Sequence, residues 1–185
     1  SYSFRQKLSQ NAFSLTAYYD AMVSNWMLDN ITGVKPRRFS ISAALSQDLR
    51  YGENPHQSAS FFLDEYLQGG IGASNQIQGK KLSYNNINDT DAALELVNEF
   101  PQNDGAAAVI VKHANPCGVG VANSLVEAYR SAFSCDKTSA FGGIVALNCI
   151  IDEESAREII KVFTEVVIAP DITEGARKIF SSKSN

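Results

Sequence analysis

The sequence is poor in the residues that announce an extracellular or metal-bound architecture. Its three cysteines, Cys117, Cys135 and Cys149, are odd in number, widely spaced and free of any Cys-x-x-Cys pair. Neither a disulfide framework nor a zinc knuckle is indicated, and a reducing, cytoplasmic setting is the expectation. No apolar run approaches the roughly 20 residues that span a bilayer, and the N-terminus lacks the charged-then-apolar order of a signal peptide. The chain opens on Ser1 rather than Met, so residue 1 is expected to be a cut end. An excess of positive charge is missing too: 16 Lys and Arg against 20 Asp and Glu give a net charge of -4 and a pI near 5.2. A nucleic-acid grip needs a basic face to neutralise phosphates, so small-molecule chemistry or protein contacts are favoured. Internal repeats and low-complexity tracts are absent as well.

What is present, 185 residues with 44% hydrophobic and 19% charged, is enough to bury a core, as one domain or one with an appendage. From Phe4 to Met27, apolar Phe4, Leu8, Leu15, Tyr18, Tyr19, Met22, Val23 and Trp26 recur at helical steps. This predicts an amphipathic helix in need of a partner surface. Asn30, Gly33 and Lys35-Pro36-Arg37-Arg38 break the period, so residues 29–38 read as a linker, its basic cluster being solvated rather than a targeting signal. Strands are expected at Phe39–Ala44 and Ala59–Leu63, with a Gly- and Pro-bearing loop over Arg50–Gln57 between them. Gly69-Gly70-Ile71-Gly72 lacks the Gly-Lys-Ser/Thr of a phosphate loop and reads as a turn.

Beyond Asn88 the pattern alternates. A helix capped by Asp89 or Thr90 runs to Phe100, and the buried-type strand Ala106–Val111 ends in Lys112-His113. A helix follows from the Ser124-x-x-Glu127 capping pattern to about Phe133. A strand at Ile144–Asn148, a helix over Asp152–Phe163, a strand at Val166–Ala169 and a helix over Ile172–Phe180 complete the chain. Such alternation implies an α/β layer fold with parallel pairing.

The densest chemistry lies in Lys112-His113-Ala114-Asn115-Pro116-Cys117-Gly118-Val119-Gly120, read as one turn at the C-terminal end of a strand, where α/β folds bind ligands. An imidazole moves protons near neutral pH, and an ammonium holds negative charge developing on a carbonyl oxygen. The pair suits acyl or formyl transfer; the plainer alternative is a His ending a strand beside a surface Lys. The string is also similar to a decayed zinc-deaminase signature, with Asn115 in place of the Glu and Gly120 in place of the second Cys, which argues against zinc. Cys117 reads as a small buried residue rather than a nucleophile paired with His113. A second constellation, Arg50-Tyr51-Gly52-Glu53-Asn54-Pro55-His56-Gln57, offers a guanidinium for phosphate or carboxamide recognition, or is a polar turn. In a third, Ser139-Ala140-Phe141-Gly142-Gly143, paired glycines permit close approach of backbone to a ligand, or relieve crowding at a turn.

These three strings together with Leu82-Ser83-Tyr84-Asn85-Asn86, in this order, resemble the AICAR transformylase/IMP cyclohydrolase family of bacterial type, and the resemblance covers essentially the whole chain. It implies that residues 1–28 are the helical C-terminal end of a cyclohydrolase domain, 29–38 a linker, and 39–185 the first lobe of a transformylase domain with a cytidine deaminase-like layered fold. By the same resemblance His113 is the base that takes a proton from the 5-amino group of AICAR. Lys112 stabilises the oxyanion as the formyl group of 10-formyltetrahydrofolate is attacked. Arg50, Tyr51 and the backbone of Gly142 contact the AICAR nucleotide, and so does Glu165, where some members carry Asp. Asn115 orders the turn. The resemblance further implies a homodimer whose site forms between subunits, a folate pocket lying mostly outside this chain, and no cyclohydrolase catalytic region within it.

Overall fold

A computed structural model describes residues 1–31, 33, 35–64 and 69–183. The described residues fall into two compact units, one within Ser1–Asp48 and Ser60–Gln68, the other within Leu49–Ala59 and Gly69–Asn185. Residues 32 and 34 of the expected linker lie outside the described ones.

The first unit is a long helix and a two-stranded ribbon. Helix α1, Tyr2–Asn30, opens on Ser1, whose side chain accepts from the Phe4 amide, and contains no buried residue. Phe4, Leu8, Leu15, Tyr19 and Trp26 of the expected apolar stripe are all exposed. Strand β1, Ala44–Asp48, pairs antiparallel with β2, Ser60–Leu63. Strand β2 lies within its expected span, whereas β1 begins where the expected strand at Phe39–Ala44 ends. The ladder decides this: Ala44 opposes Leu63 and Asp48 opposes Ser60, whose hydroxyl also donates to Asp48 Oδ1 at 2.9 Å. Apolar Phe39 and Ile41 stay exposed instead.

The second unit carries the core. Helix α2, Tyr84–Asn98, begins several residues before the expected start because the cap is Ser83. Ser83 Oγ accepts from the Asn86 amide at 3.2 Å and the Asn86 side chain accepts from Ser83 N at 3.0 Å, a reciprocal capping box. Asp89 and Thr90, read as caps, therefore sit inside the helix. Strand β3, Ala106–Lys112, turns back at once into β4, Asn115–Ala122. Strand β4 corrects the reading of Lys112–Gly120 as one ligand-facing turn: only His113 and Ala114 form the turn. Pro116 is accommodated because β4 is an edge strand and the register shifts beside it. Gly118 and Gly120 are required by contact with α3, Leu125–Cys135: a Cβ on them would lie 2.0 Å from Ala132 O and 2.2 Å from Ala128 O.

Strand β5 is Gly143–Leu147, α4 is Glu153–Ile159 capped by Asp152, β6 is Thr164–Ile168 and α5 is Glu174–Phe180 capped by Thr173. Helix α4 is shorter than the expected span, since the chain turns at Ile160–Val162 to enter β6. The sheet order is β4-β3-β5-β6. Only β5 and β6 run parallel; β3 is antiparallel to both neighbours. The expectation of parallel pairing is thus corrected: the tight His113-Ala114 turn forces one reversal, and β5 enters antiparallel to β3.

Alternate residues of the central strands point to opposite faces, and both are covered. Ala108, Ile110, Val145 and Leu147 pack with Leu125, Ala128, Tyr129 and Ala132 of α3, with Ala156 and Ile159 of α4 and with Ala176 of α5. Ala107, Val109, Val111, Ile144 and Ala146 pack on Ala93 and Val97 of α2. The result is a three-layer α/β arrangement within the second unit, in which α2 covers one face of the sheet and α3, α4 and α5 the other. Among the described residues no helix is long and apolar enough to cross a membrane.

Candidate functional site

The β3–β4 turn presents Lys112, His113 and Asn115. His113 and Ala114 have φ of 53° and 55°, and among the described residues they are the two non-glycine residues with positive φ. Left-handed backbone costs an L-residue about 1–2 kcal/mol, so this conformation needs outside support. Asp89, half-buried on α2, supplies it: Oδ2 accepts from His113 N at 3.0 Å and Oδ1 from Ala114 N at 2.9 Å. On the other side the Asn115 side chain donates from Nδ2 to the His113 carbonyl at 2.7 Å. The backbone of His113 is thereby held while its side chain remains exposed.

Lys112, at the end of β3, sends its ammonium to the Phe141 carbonyl at 2.7 Å, next to Gly142. Gly142 has φ 73° and its amide donates to Phe163 O at 2.8 Å. A Cβ there would find nothing closer than Phe163 at 3.7 Å, so the glycine is required by its conformation rather than by crowding. Cys117 lies on β4 against the core. Burial first, and then the Asp136 charge, push its thiol up, with Lys112 pulling weakly the other way. A thiol held protonated in this way is a poor nucleophile.

Arg50 and Tyr51 lie just before the tight turn closed by Gly52 N to Gln57 O at 2.9 Å. The Arg50 guanidinium sits over the Tyr51 ring, 4.9 Å from its centroid. Arg50 N donates to Leu82 O and Tyr84 N to Tyr51 O, which fastens this segment to the start of α2, and Asn85 adds a bond to the Glu53 carbonyl at 3.1 Å. Glu165, on β6, accepts from Asn86 Nδ2 at 2.6 Å. Asn86 is itself buried and locked by Ser83.

The candidate residues therefore touch only as local pairs, Arg50 with Tyr51 and Asn115 with His113, and these groups do not bond directly to one another. Arg50-Tyr51, the His113 turn and Glu165 each attach to the first half of α2, while Lys112 attaches to the loop of Gly142. The residues missed in the sequence are those doing the attaching, Asn86 and Asp89. A signal existed in their spacing: at i and i+3 they share the side of α2 that meets the sheet.

The sequence model of the AICARFT/IMPCHase bienzyme family matches residues 1–185. The chain belongs to that family. Curated relatives named bifunctional purine biosynthesis protein PurH agree: that of Ruegeria sp. (strain TM1040) is 57% identical over 185 residues, 100% of this chain and 35% of that protein. That of Paracoccus denitrificans (strain Pd 1222) is 57% identical over 183 residues, 99% of this chain and 35% of the relative. That of Rhizobium johnstonii is 54% identical over 184 residues, 100% of this chain and 34% of the relative. The chain thus spans about a third of the length of the family members it matches.

Proposed function

We propose that this chain carries the nucleotide-binding half and the proton acceptor of a formyl-transfer site in purine nucleotide biosynthesis, moving the formyl group of 10-formyltetrahydrofolate to the 5-amino group of AICAR. The observation that carries the reading is the strained His113 turn, gripped from both sides yet presenting an exposed imidazole. Strain of this kind persists where function fixes it. His113 accepts the amine proton as the nitrogen lone pair bonds to the formyl carbon. Lys112 stabilises the resulting oxyanion. As the oxyanion collapses, the bond from that carbon to the folate nitrogen breaks, and the folate nitrogen leaves with the proton that His113 took up.

Arg50, Tyr51, Glu165 and the Gly142 backbone hold the AICAR nucleotide in this reading, and the antiparallel hairpin followed by a parallel β5–β6 pair is compatible with a cytidine deaminase-like lobe. Residues 1–28 belong to the cyclohydrolase domain, 39–185 to the first transformylase lobe, and the folate pocket lies mostly outside the chain. Gly120, in the place of a zinc-binding Cys, has no room for any side chain, which supports a lobe without zinc. The reading sets the whole protein in the cytoplasm as a homodimer. A second reading is a catalytically silent α/β lobe serving dimer assembly or nucleotide binding only, and the exposed apolar side chains of α1, outside the lobe, favour assembly of the chain.

The two readings separate on His113→Ala in a protein of the relatives' full length. Formyl transfer predicts that kcat falls about 10²–10⁴-fold with AICAR affinity little changed, the usual worth of a general base. An unchanged kcat leaves a silent lobe that serves dimer assembly or nucleotide binding only.

A further inference from the structure

The geometry points to Asp89 as the positioning residue that sets the direction of the His113 imidazole, an inference that rests on His113 being the proton acceptor. A two-residue turn with both φ values positive ordinarily takes Asn-Gly, because glycine and asparagine tolerate left-handed backbone. Here the turn is His113-Ala114, between the paired residues Lys112 and Asn115, and it contains no glycine. Its intrinsic preference is against the conformation it holds.

Asp89 reverses that preference. Two successive amides in left-handed geometry form a small concavity with both N–H groups converging, a ready seat for an anion. One carboxylate fills it, with one oxygen on each amide at 3.0 Å and 2.9 Å. The carboxylate stands in the middle of α2, where Thr90, Ala93 and Val97 of the same helix are buried. Asp89 therefore transmits the rigidity of a packed helix to a strained, exposed turn. The Asn115 bond to the His113 carbonyl fixes the opposite edge of the same peptide plane. With the backbone fixed on both edges, the Cα–Cβ direction of His113 is fixed as well. Both bonds run from Asp89 to main-chain amides, so its grip on His113 acts through the backbone.

The test is steady-state kinetics of Asp89→Asn in the full-length protein, beside His113→Ala. The asparagine keeps one acceptor but turns an NH2 group toward the other amide, so the turn loses half its grip. The expected result is a kcat about 10- to 100-fold lower, the scale of an ångström of misplacement, with KM for AICAR within about threefold and the folded fraction unchanged. A merely structural role would lower the folded fraction and leave kcat per folded enzyme intact. Ala114→Gly in the Asp89→Asn background eases the left-handed turn and is expected to restore part of kcat. Should Asp89→Asn fail to fold, Ala114→Val decides: it strains the same turn at an exposed position and is expected to lower kcat likewise. Unchanged kcat in Asp89→Asn, or in Ala114→Val if that is needed, overturns the inference while His113→Ala remains impaired. Unchanged kcat in His113→Ala overturns the reading beneath it.

Discussion

Tyr129 shows at the scale of one residue how burial sets chemistry in this fold. It is 2% exposed on the inner face of α3, its ring stacked with Phe133 at 6.1 Å between centroids. Burial first, and the nearby Glu158 charge second, hold the phenol neutral and push its pKa up to about 12. A raised folded-state pKa contributes stability that is fully present below the unfolded value near 10 and is lost as pH rises through the folded one. Alkaline unfolding is therefore expected to steepen between about pH 10 and 12. Tyr129→Phe, followed by denaturant titrations at pH 9 and pH 11, should lose less stability over that interval than the parent chain. An equal loss in both would show that the phenol is not responsible. Lys112, His113 and Arg50 stand out as candidates in the sequence because their side chains suit proton transfer or charge recognition, whereas Glu165 enters only through the family resemblance. Asn86 and Asp89 do not stand out: a polar residue in a helix reads as solvated face or cap until its partner, 79 or 24 residues away, is in place.

At the scale of elements, the starts of α3, α4 and α5 lie close to where the sequence puts them, whereas β4 was not foreseen. Ser124, Asp152 and Thr173 each cap a helix, accepting from an amide three residues on. Helix α2 was placed late because its capping box pairs Ser83 with Asn86 instead of Glu or Gln. Strand β4 was hidden by Pro116, Gly118 and Gly120, which read as breakers in isolation. Their reason is tertiary: an edge position for the proline and the backbone of α3 against the glycines. Gly120→Ala would place a Cβ 2.2 Å from Ala128 O, a backbone atom that cannot swing aside. The expected cost is about 1–3 kcal/mol of overpacking, read as a Tm several degrees lower. A Tm within a degree of the parent would contradict this close contact of β4 with α3.

At the scale of the whole molecule, the α/β class followed from the alternation of periodicities, and the buried run Ala106–Val111 correctly announced a strand covered on both faces. Strand direction did not follow, because two strands joined by a two-residue turn and two joined through a helix leave similar local patterns. The layering has a functional consequence. Helix α2 covers one face of the sheet, and its first turns hold the Arg50-Tyr51 segment, Glu165 and the His113 turn together. Any nucleotide half-site in this lobe is thus organised by one helix.

Calorimetric titration of AICAR into this chain, repeated with Arg50→Ala, tests that central claim most directly. Saturable binding that Arg50→Ala weakens by about tenfold, the scale of a lost charge-assisted hydrogen bond, is the predicted result. Binding indifferent to Arg50, or no heat from a sample whose circular dichroism shows it folded, would contradict a half-site pre-formed on α2 in this chain by itself.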